Sequence, residues 1–204
     1  MNLVWYNKNM EIKRPKSKQP IPEHAKRVFR GVMFDVYQWE QKMFDGSLSI
    51  FEKVKRPDTT IIFPVLSDGK IILSEQEQPG KKPFIGGCGG RIEEGEDVLE
   101  SAKRELLEES GYEAEDFILW NAQQPMGKVE WAVYVFVAKD LKKVTEISPD
   151  SGEKIKLISV TLDEFIDIPL RKDIIFAEGE VIPLLLEAKI DSGKMEELRE
   201  LFKP

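Results

Sequence analysis

The sequence predicts an α/β fold preceded by a small β-rich extension, and three observations carry that prediction. A glycine-rich bend at residues 86–90 runs into an acidic helix at 97–110 with recognisable start and stop signals. The run Trp131-Ala132-Val133-Tyr134-Val135-Phe136-Val137 is apolar or aromatic throughout, the mark of a central strand. Ahead of both, residues 28–52 alternate with period two around an Asp45-Gly46 hairpin turn.

Each element follows in order. Residues 1–25 carry Lys13, Arg14, Lys16 and Lys18 among Pro15, Pro20 and Pro22, and read as an exposed, solvated arm. Val28, Arg30, Val32, Phe34 and Val36 fall on one face of a strand, and the hairpin turn precedes Leu48 and Ile50. This extension holds Phe29, Phe34, Tyr37, Trp39, Phe44 and Phe51, more aromatic surface than a short meander can bury. Burial against a second subunit or against the following domain is the outlet.

Residues 59–66 read as a buried strand, Asp68-Gly69 as a turn and residues 70–74 as its antiparallel neighbour. Pro79-Gly80 and Pro83 form a loop into Gly86-Gly87-Cys88-Gly89-Gly90, a turn whose backbone can approach a ligand closely. Cys88 is a small residue of that turn with no base beside it. Further strands are expected at 117–120, 130–138 and 153–160. Thr161 with Glu164 makes a capping box, and apolar spacing predicts helices at 174–188 and 195–202.

Within the 97–110 helix Asp97 is the N-cap and Gly111 the left-handed stop. Leu99, Ala102 and Leu106 share an apolar stripe, and Glu105, Glu108 and Glu109 share the next one. A solvated acidic face is the ordinary reading of such a run. Three glutamates at i, i+3 and i+4 repel one another unless something positive lies between them, either Arg104 or a divalent cation.

Composition narrows the classes. The 204 residues are 41 % hydrophobic, enough for a real core, with a net charge of −7. That charge argues against non-specific nucleic-acid binding, which depends on neutralising phosphates. Cys88 is the only cysteine and His24 the only histidine, so disulfides, Cys/His zinc sites and His-based nucleophile systems drop out. Oxygen ligands remain, which suit Mg²⁺ or Mn²⁺. With no apolar run approaching 18 residues and no signal-like start, a cytoplasmic protein away from membranes is expected.

The stretch Gly90-x5-Glu96-x7-Arg104-Glu105-Leu106-Leu107-Glu108-Glu109-Ser110-Gly111-Tyr112 resembles a complete Nudix box. The resemblance implies a Nudix-type α/β/α sandwich with a mixed β-sheet at residues 58–204, preceded by an arm and β-rich extension at residues 1–57. It implies hydrolysis of a nucleoside diphosphate linked to another moiety. By similarity Glu105, Glu108 and Glu109, with the backbone of Gly89, would bind the metal, while Arg104 would orient an acid.

Pro125, Gly127 and Glu130 resemble in order and spacing a loop of the ADP-ribose and ADP-sugar pyrophosphatase group, in which the glutamate positions or deprotonates water. The catalytic set implied is therefore Glu108, Glu130 and Arg104; a solvent-exposed glutamate at a strand start is the other reading of Glu130. Trp39, Gln78 and Arg91 are the candidate substrate contacts, Trp39 being either a stacking residue or a core or interface aromatic. In that group the extension forms a homodimer.

The same group shows Gln-x-Arg before the box and Glu-x-Pro-Ala-Gly leading into it, where this chain has Gln76-Glu77-Gln78 and Gly86-Gly87-Cys88-Gly89-Gly90. An arginine and a glutamate are missing, and glutamine cannot replace a bidentate phosphate contact. An ADP-sugar such as ADP-ribose is the leading substrate class. The alternatives are nucleoside triphosphates or dinucleoside polyphosphates, a non-hydrolytic isomerase, or a catalytically silent nucleotide-binding module.

Overall fold

The computed structural model describes residues 12–148 and 152–204. The expected arm at 1–25 therefore lies partly outside the described residues.

The body is built on β4 (Thr59–Pro64), β7 (Cys88–Arg91), β8 (Tyr112–Gln123) and β10 (Val133–Lys143), in the order β7-β4-β10-β8. β10 runs parallel to β4 with Val133 opposite Thr59, and antiparallel to β8, so the sheet is mixed. A second sheet joins β5 (Ile71–Glu77), β6 (Phe84–Gly86) and β11 (Lys154–Val160) in the order β11-β5-β6.

The apolar run of β10 is explained by its two covered faces. Val133, Val135 and Val137 point into one buried cluster with Phe63, Trp120, Phe165, Leu185, Leu198 and Phe202. Those last residues come from or adjoin α2 (Leu162–Asp167), α3 (Ile182–Ile190) and α4 (Ser192–Leu201). Ala132, Tyr134, Phe136 and Ala138 face the other cluster with Ala102 and Leu106 of α1 (Val98–Ser110). Helices thus cover both sides of the sheet, as the sandwich requires. Phe63 lies 4.9 Å from Phe165 and 6.0 Å from Trp120, ring pairs worth about 1 kcal/mol each beyond their buried area.

The extension forms a third sheet from β1 (Lys26–Arg30), β2 (Asp35–Lys42), β3 (Leu48–Lys55) and β9 (Val129–Glu130). β9 belongs to the body and pairs in parallel with the end of β3, which stitches the extension to it. Among the described residues no helix is long and apolar enough to cross a membrane.

Several expectations needed correction. The alternating face at 28–36 is not one strand: Gly31 N–H donates to Phe34 O at 2.9 Å and turns the chain between β1 and β2. β5 meets β4 only at a Val65/Ile71 bridge and then leaves for the second sheet. The glycine segment at 86–90 is not a free turn, because its second half is β7, laid against β4 with Gly89 opposite Ile61. Cys88 is accordingly fully buried. The helix expected at 174–188 starts only at Ile182, since Ile85 N–H takes Ile175 O and Ala177 N–H takes Ile85 O, holding residues 174–178 as an extended rail beside β6. Thr161 and Glu164 do form the reciprocal capping box.

Candidate active site

The box helix is framed as its sequence dictates. Asp97 Oδ1 accepts from Leu99 N and Glu100 N at 2.9 and 3.3 Å, and Gly111 closes the helix at φ 70°. Ala102 and Leu106 are fully buried against the sheet, which turns the adjacent acidic stripe towards the glycine strand β7.

Arg104 is the electrostatic hub. Its Nε and Nη2 donate to the two oxygens of Glu96 at 2.9 and 3.0 Å, and Nη2 also reaches Arg91 O at 3.1 Å. Nη1 bridges Glu105 Oε1 at 2.8 Å and Glu108 Oε2 at 3.1 Å. The guanidinium holds the Glu96 carboxyl down at about 2. The box thereby ties its own loop, 91–96, to the helix.

The three box carboxylates occupy different environments. Glu109 is 5 % exposed and accepts from Gly89 N at 2.9 Å. Desolvation pushes it up to about 8 against the pull of that N–H. Glu105 is also buried; desolvation raises it, opposed by Arg104. Glu108 is the open one, its side chain 47 % exposed.

Glycine is required along β7. A Cβ on Gly90 would stand 2.5 and 2.8 Å from the two oxygens of Glu105, and one on Gly89 would stand 2.1 Å from Thr60 O. Among the described residues, no three acidic, His or Cys side chains already form a cage around a cation. The donor set is all-oxygen, which suits a hard divalent cation, and the Arg104 guanidinium is the positive group that bridges Glu105 and Glu108 in this structure.

Glu130 is neither exposed nor free. It is 9 % exposed, with Oε1 accepting from Arg14 Nη1 at 2.7 Å and Gln124 Nε2 at 3.2 Å, and Oε2 accepting from Lys53 Nζ at 2.8 Å. Desolvation raises its carboxyl, but these bonds together outweigh that and leave it at about 2. Arg14 also clamps Asp58 at 2.7 and 3.0 Å, so this part of the arm is docked and not merely solvated.

Arg14, Arg27, Arg30, Lys55 and Arg56 line a cleft of about 910 Å³ together with the acidic Asp35, Asp58, Glu93, Glu94 and Glu130. Proline spacing and charge marked Arg14 as polar surface; only its partners, 44 and 116 residues away, give it a place in the site.

The remaining candidates are dispersed. Trp39 is 6 % exposed and packs on Phe51 at 6.0 Å, within the extension. Arg91 ends β7 with its backbone carbonyl held by Arg104. Gln78 donates to Glu153 Oε1 at 2.9 Å and accepts from Lys81 Nζ at 2.6 Å. Glu153 and Glu178, neither flagged by sequence pattern, both act electrostatically on Glu109.

Comparison with known proteins places these features among relatives. A model of the NUDIX domain matches residues 55–185. The chain is 31 % identical over 144 residues to a methanol dehydrogenase activator of Bacillus methanolicus, covering 69 % of this chain and 77 % of that protein. It is 30 % identical over 141 residues to an ADP-ribose pyrophosphatase of Bacillus subtilis (strain 168), covering 68 % and 76 %. A solved ADP compounds hydrolase shares the fold with a TM-score of 0.67 at 22 % identity, over 94 % of this chain and 97 % of that one.

Proposed function

The chain belongs to the Nudix family and is a Nudix pyrophosphohydrolase, and from that premise we propose that it cleaves the pyrophosphate bond of an ADP-sugar such as ADP-ribose, giving AMP and a sugar phosphate. The observation that carries the reading is the seating of two buried box carboxylates on glycine backbone, Glu109 on Gly89 N–H and Glu105 over Gly90. The cleft beside the 91–96 loop supports it, having the size of a nucleotide-binding pocket and, in a lining of mixed charge, guanidinium groups suited to phosphate oxygens.

Mg²⁺ or Mn²⁺ would be held by Glu105, Glu108, Glu109 and the Gly89 carbonyl. Such an ion, when bound, offsets charge on the diphosphate and makes a coordinated water more acidic. The chain's own residues do the rest. Arg104 keeps Glu105 and Glu108 oriented, Glu108 is open to accept the proton of the attacking water, and Arg27, Arg30 and Arg56 orient the diphosphate. Glu130, with both oxygens engaged, positions Arg14 at the cleft wall. Gln78 and Arg91 remain substrate contacts, and Trp39 serves the packing of the extension.

Gln78 favours a second reading. It stands where the ADP-sugar group has arginine, which weighs against ADP-ribose itself and keeps nucleoside triphosphates or dinucleoside polyphosphates as the second substrate class. Incubation with Mg²⁺ and a panel of all three classes, with products identified by mass, decides between them. AMP plus a sugar phosphate supports the first reading; pyrophosphate or a triphosphate product replaces it.

The body at 58–204 and the extension at 1–57 are assigned as hydrolase domain and dimerisation element of a cytoplasmic homodimer. Phe29, Leu48, Ile50 and Phe44 are 57, 63, 64 and 112 % exposed on the extension, apolar surface that a second copy would cover. Light scattering of wild type and Ile50→Glu tests this; a wild-type monomer overturns it.

A further inference from the structure

The two faces of β6 serve different ends. Ile85 and its bridge partner Phe176 pack against the core cluster that holds Phe63 and Phe165. Their chain neighbours Phe84, Ile175 and Ala177 point the other way and form the apolar walls of a groove of about 360 Å³.

Two lysines rim that groove. Lys81 Nζ lies 5.5 Å from the centre of the Phe84 ring, and Gln78 fixes it there: Gln78 O accepts from Lys81 N at 3.1 Å and Gln78 Oε1 accepts from Lys81 Nζ at 2.6 Å. Gln78 is itself tied down, its Nε2 donating to Glu153 Oε1 at 2.9 Å. Lys82 completes the rim, and no acidic side chain lines the groove. The cleft beyond β7 differs, since carboxylates stand among its basic groups.

The box helix holds a carboxylate between the two openings. Phe84 lines the groove, Gly89 N–H holds Glu109 Oε2 at 2.9 Å, and residues 92–95 line the cleft, so the three follow one another along a single segment. Phe84 and Gly89 are five residues apart, at most ~17 Å of extended chain. A compound held by its diphosphate beside Glu109 can place one end in the cleft and the other in the groove.

We infer that Lys81 and Lys82 are specificity-determining residues that select a substrate whose far sugar carries a phosphate of its own, with that sugar lying against Phe84. This rests on the ADP-sugar reading above. A neutral sugar would fill the groove and leave both ammonium groups to water, whereas a phosphate offers each of them a charge-assisted hydrogen bond. Gln78 acts through Lys81, by holding it over the ring.

The test compares kcat/KM for ADP-ribose and ADP-ribose 1″-phosphate, which differ by one phosphate on the far ribose, using the full chain with Mg²⁺. Wild type is expected to prefer the phosphorylated compound by at least ~10-fold, the worth of one hydrogen bond between charged groups, and the preference should shrink in added KCl as the charges are screened. The double variant Lys81→Gln/Lys82→Gln should abolish the preference, mostly through KM, and each single variant should fall between. Both side chains are exposed, and an unchanged circular dichroism spectrum checks the fold. Equal kcat/KM for the two compounds in wild type, or a preference that survives the double substitution, overturns the inference and leaves the ADP-sugar reading standing. Wild type that releases AMP from neither compound overturns both.

Discussion

The buried Lys53 ammonium donates to Glu130 Oε2 at 2.8 Å, linking β3 of the extension to a residue 77 positions further on. The same ammonium donates to Ser17 Oγ at 2.7 Å and Gln19 O at 2.6 Å, so one cation gathers the arm, the extension and the body. Lys53→Met strands Glu130 with one fewer partner in a buried setting. The expected loss is about 3 kcal/mol, measured by urea unfolding, with faster hydrogen exchange in residues 17–19. An unchanged midpoint would show that the pair contributes nothing.

Acid stability should report the same residue. The folded carboxyl of Glu130 lies at about 2, below its ordinary 4.5, so its stabilisation is complete above pH ~5 and fades as pH falls through about 2. The amount at stake is on the order of 3 kcal/mol. Unfolding of wild type and Glu130→Gln at pH 6 and pH 3 checks it: the gap between them should narrow at the lower pH.

Glu105→Gln should keep the fold and lose most turnover. With Mg²⁺ saturating, kcat is expected to fall at least ~10²-fold, about 2.7 kcal/mol of transition-state stabilisation. Circular dichroism and steady-state kinetics measure the two halves, and full activity would remove Glu105 from the site.

The two glycines of β7 should fail differently. In Gly89→Ala the new Cβ meets the Thr60 backbone oxygen at 2.1 Å, which can move only with β4, so a loss of ~2 kcal/mol or more is expected. In Gly90→Ala it meets the Glu105 carboxylate, the end of a side chain that can swing away. Thermal melts should rank Gly89→Ala well below Gly90→Ala, while Gly90→Ala keeps its fold and loses activity. The reverse ranking would contradict the packing of β7.

Replacing Arg104 by Lys keeps the charge and loses the fork. Glu96 is gripped by two nitrogens while a third reaches Glu105 and Glu108, a geometry that an ammonium cannot copy. A loss of ~1–2 kcal/mol and a clear drop in kcat are expected from melts and kinetics. Wild-type behaviour in both would make Arg104 a surface residue.

What the amino-acid order alone determined is what neighbours in the chain decide. Asp97 and Gly111 bound the box helix, Thr161 and Glu164 cap the next, and Asp45-Gly46 turns the hairpin, because each acts on amides only a few residues away. The i, i+3, i+4 spacing likewise placed Glu105, Glu108 and Glu109 on one stripe, and the unbroken apolar run of β10 announced a strand covered on both faces.

Tertiary structure decided which distant groups meet. β5 abandons β4 because Ile71 to Glu77 find their ladder in β11 and β6, and residues 174–178 stay extended because Ile85 offers them backbone bonds. Arg14, Lys53 and Glu130 converge only once the extension docks, and Glu178 reaches Gly87 only along its rail. Local spacing can place a carboxylate on a helix face. The burial and the partners that fix its charge arise from packing between segments far apart in the chain.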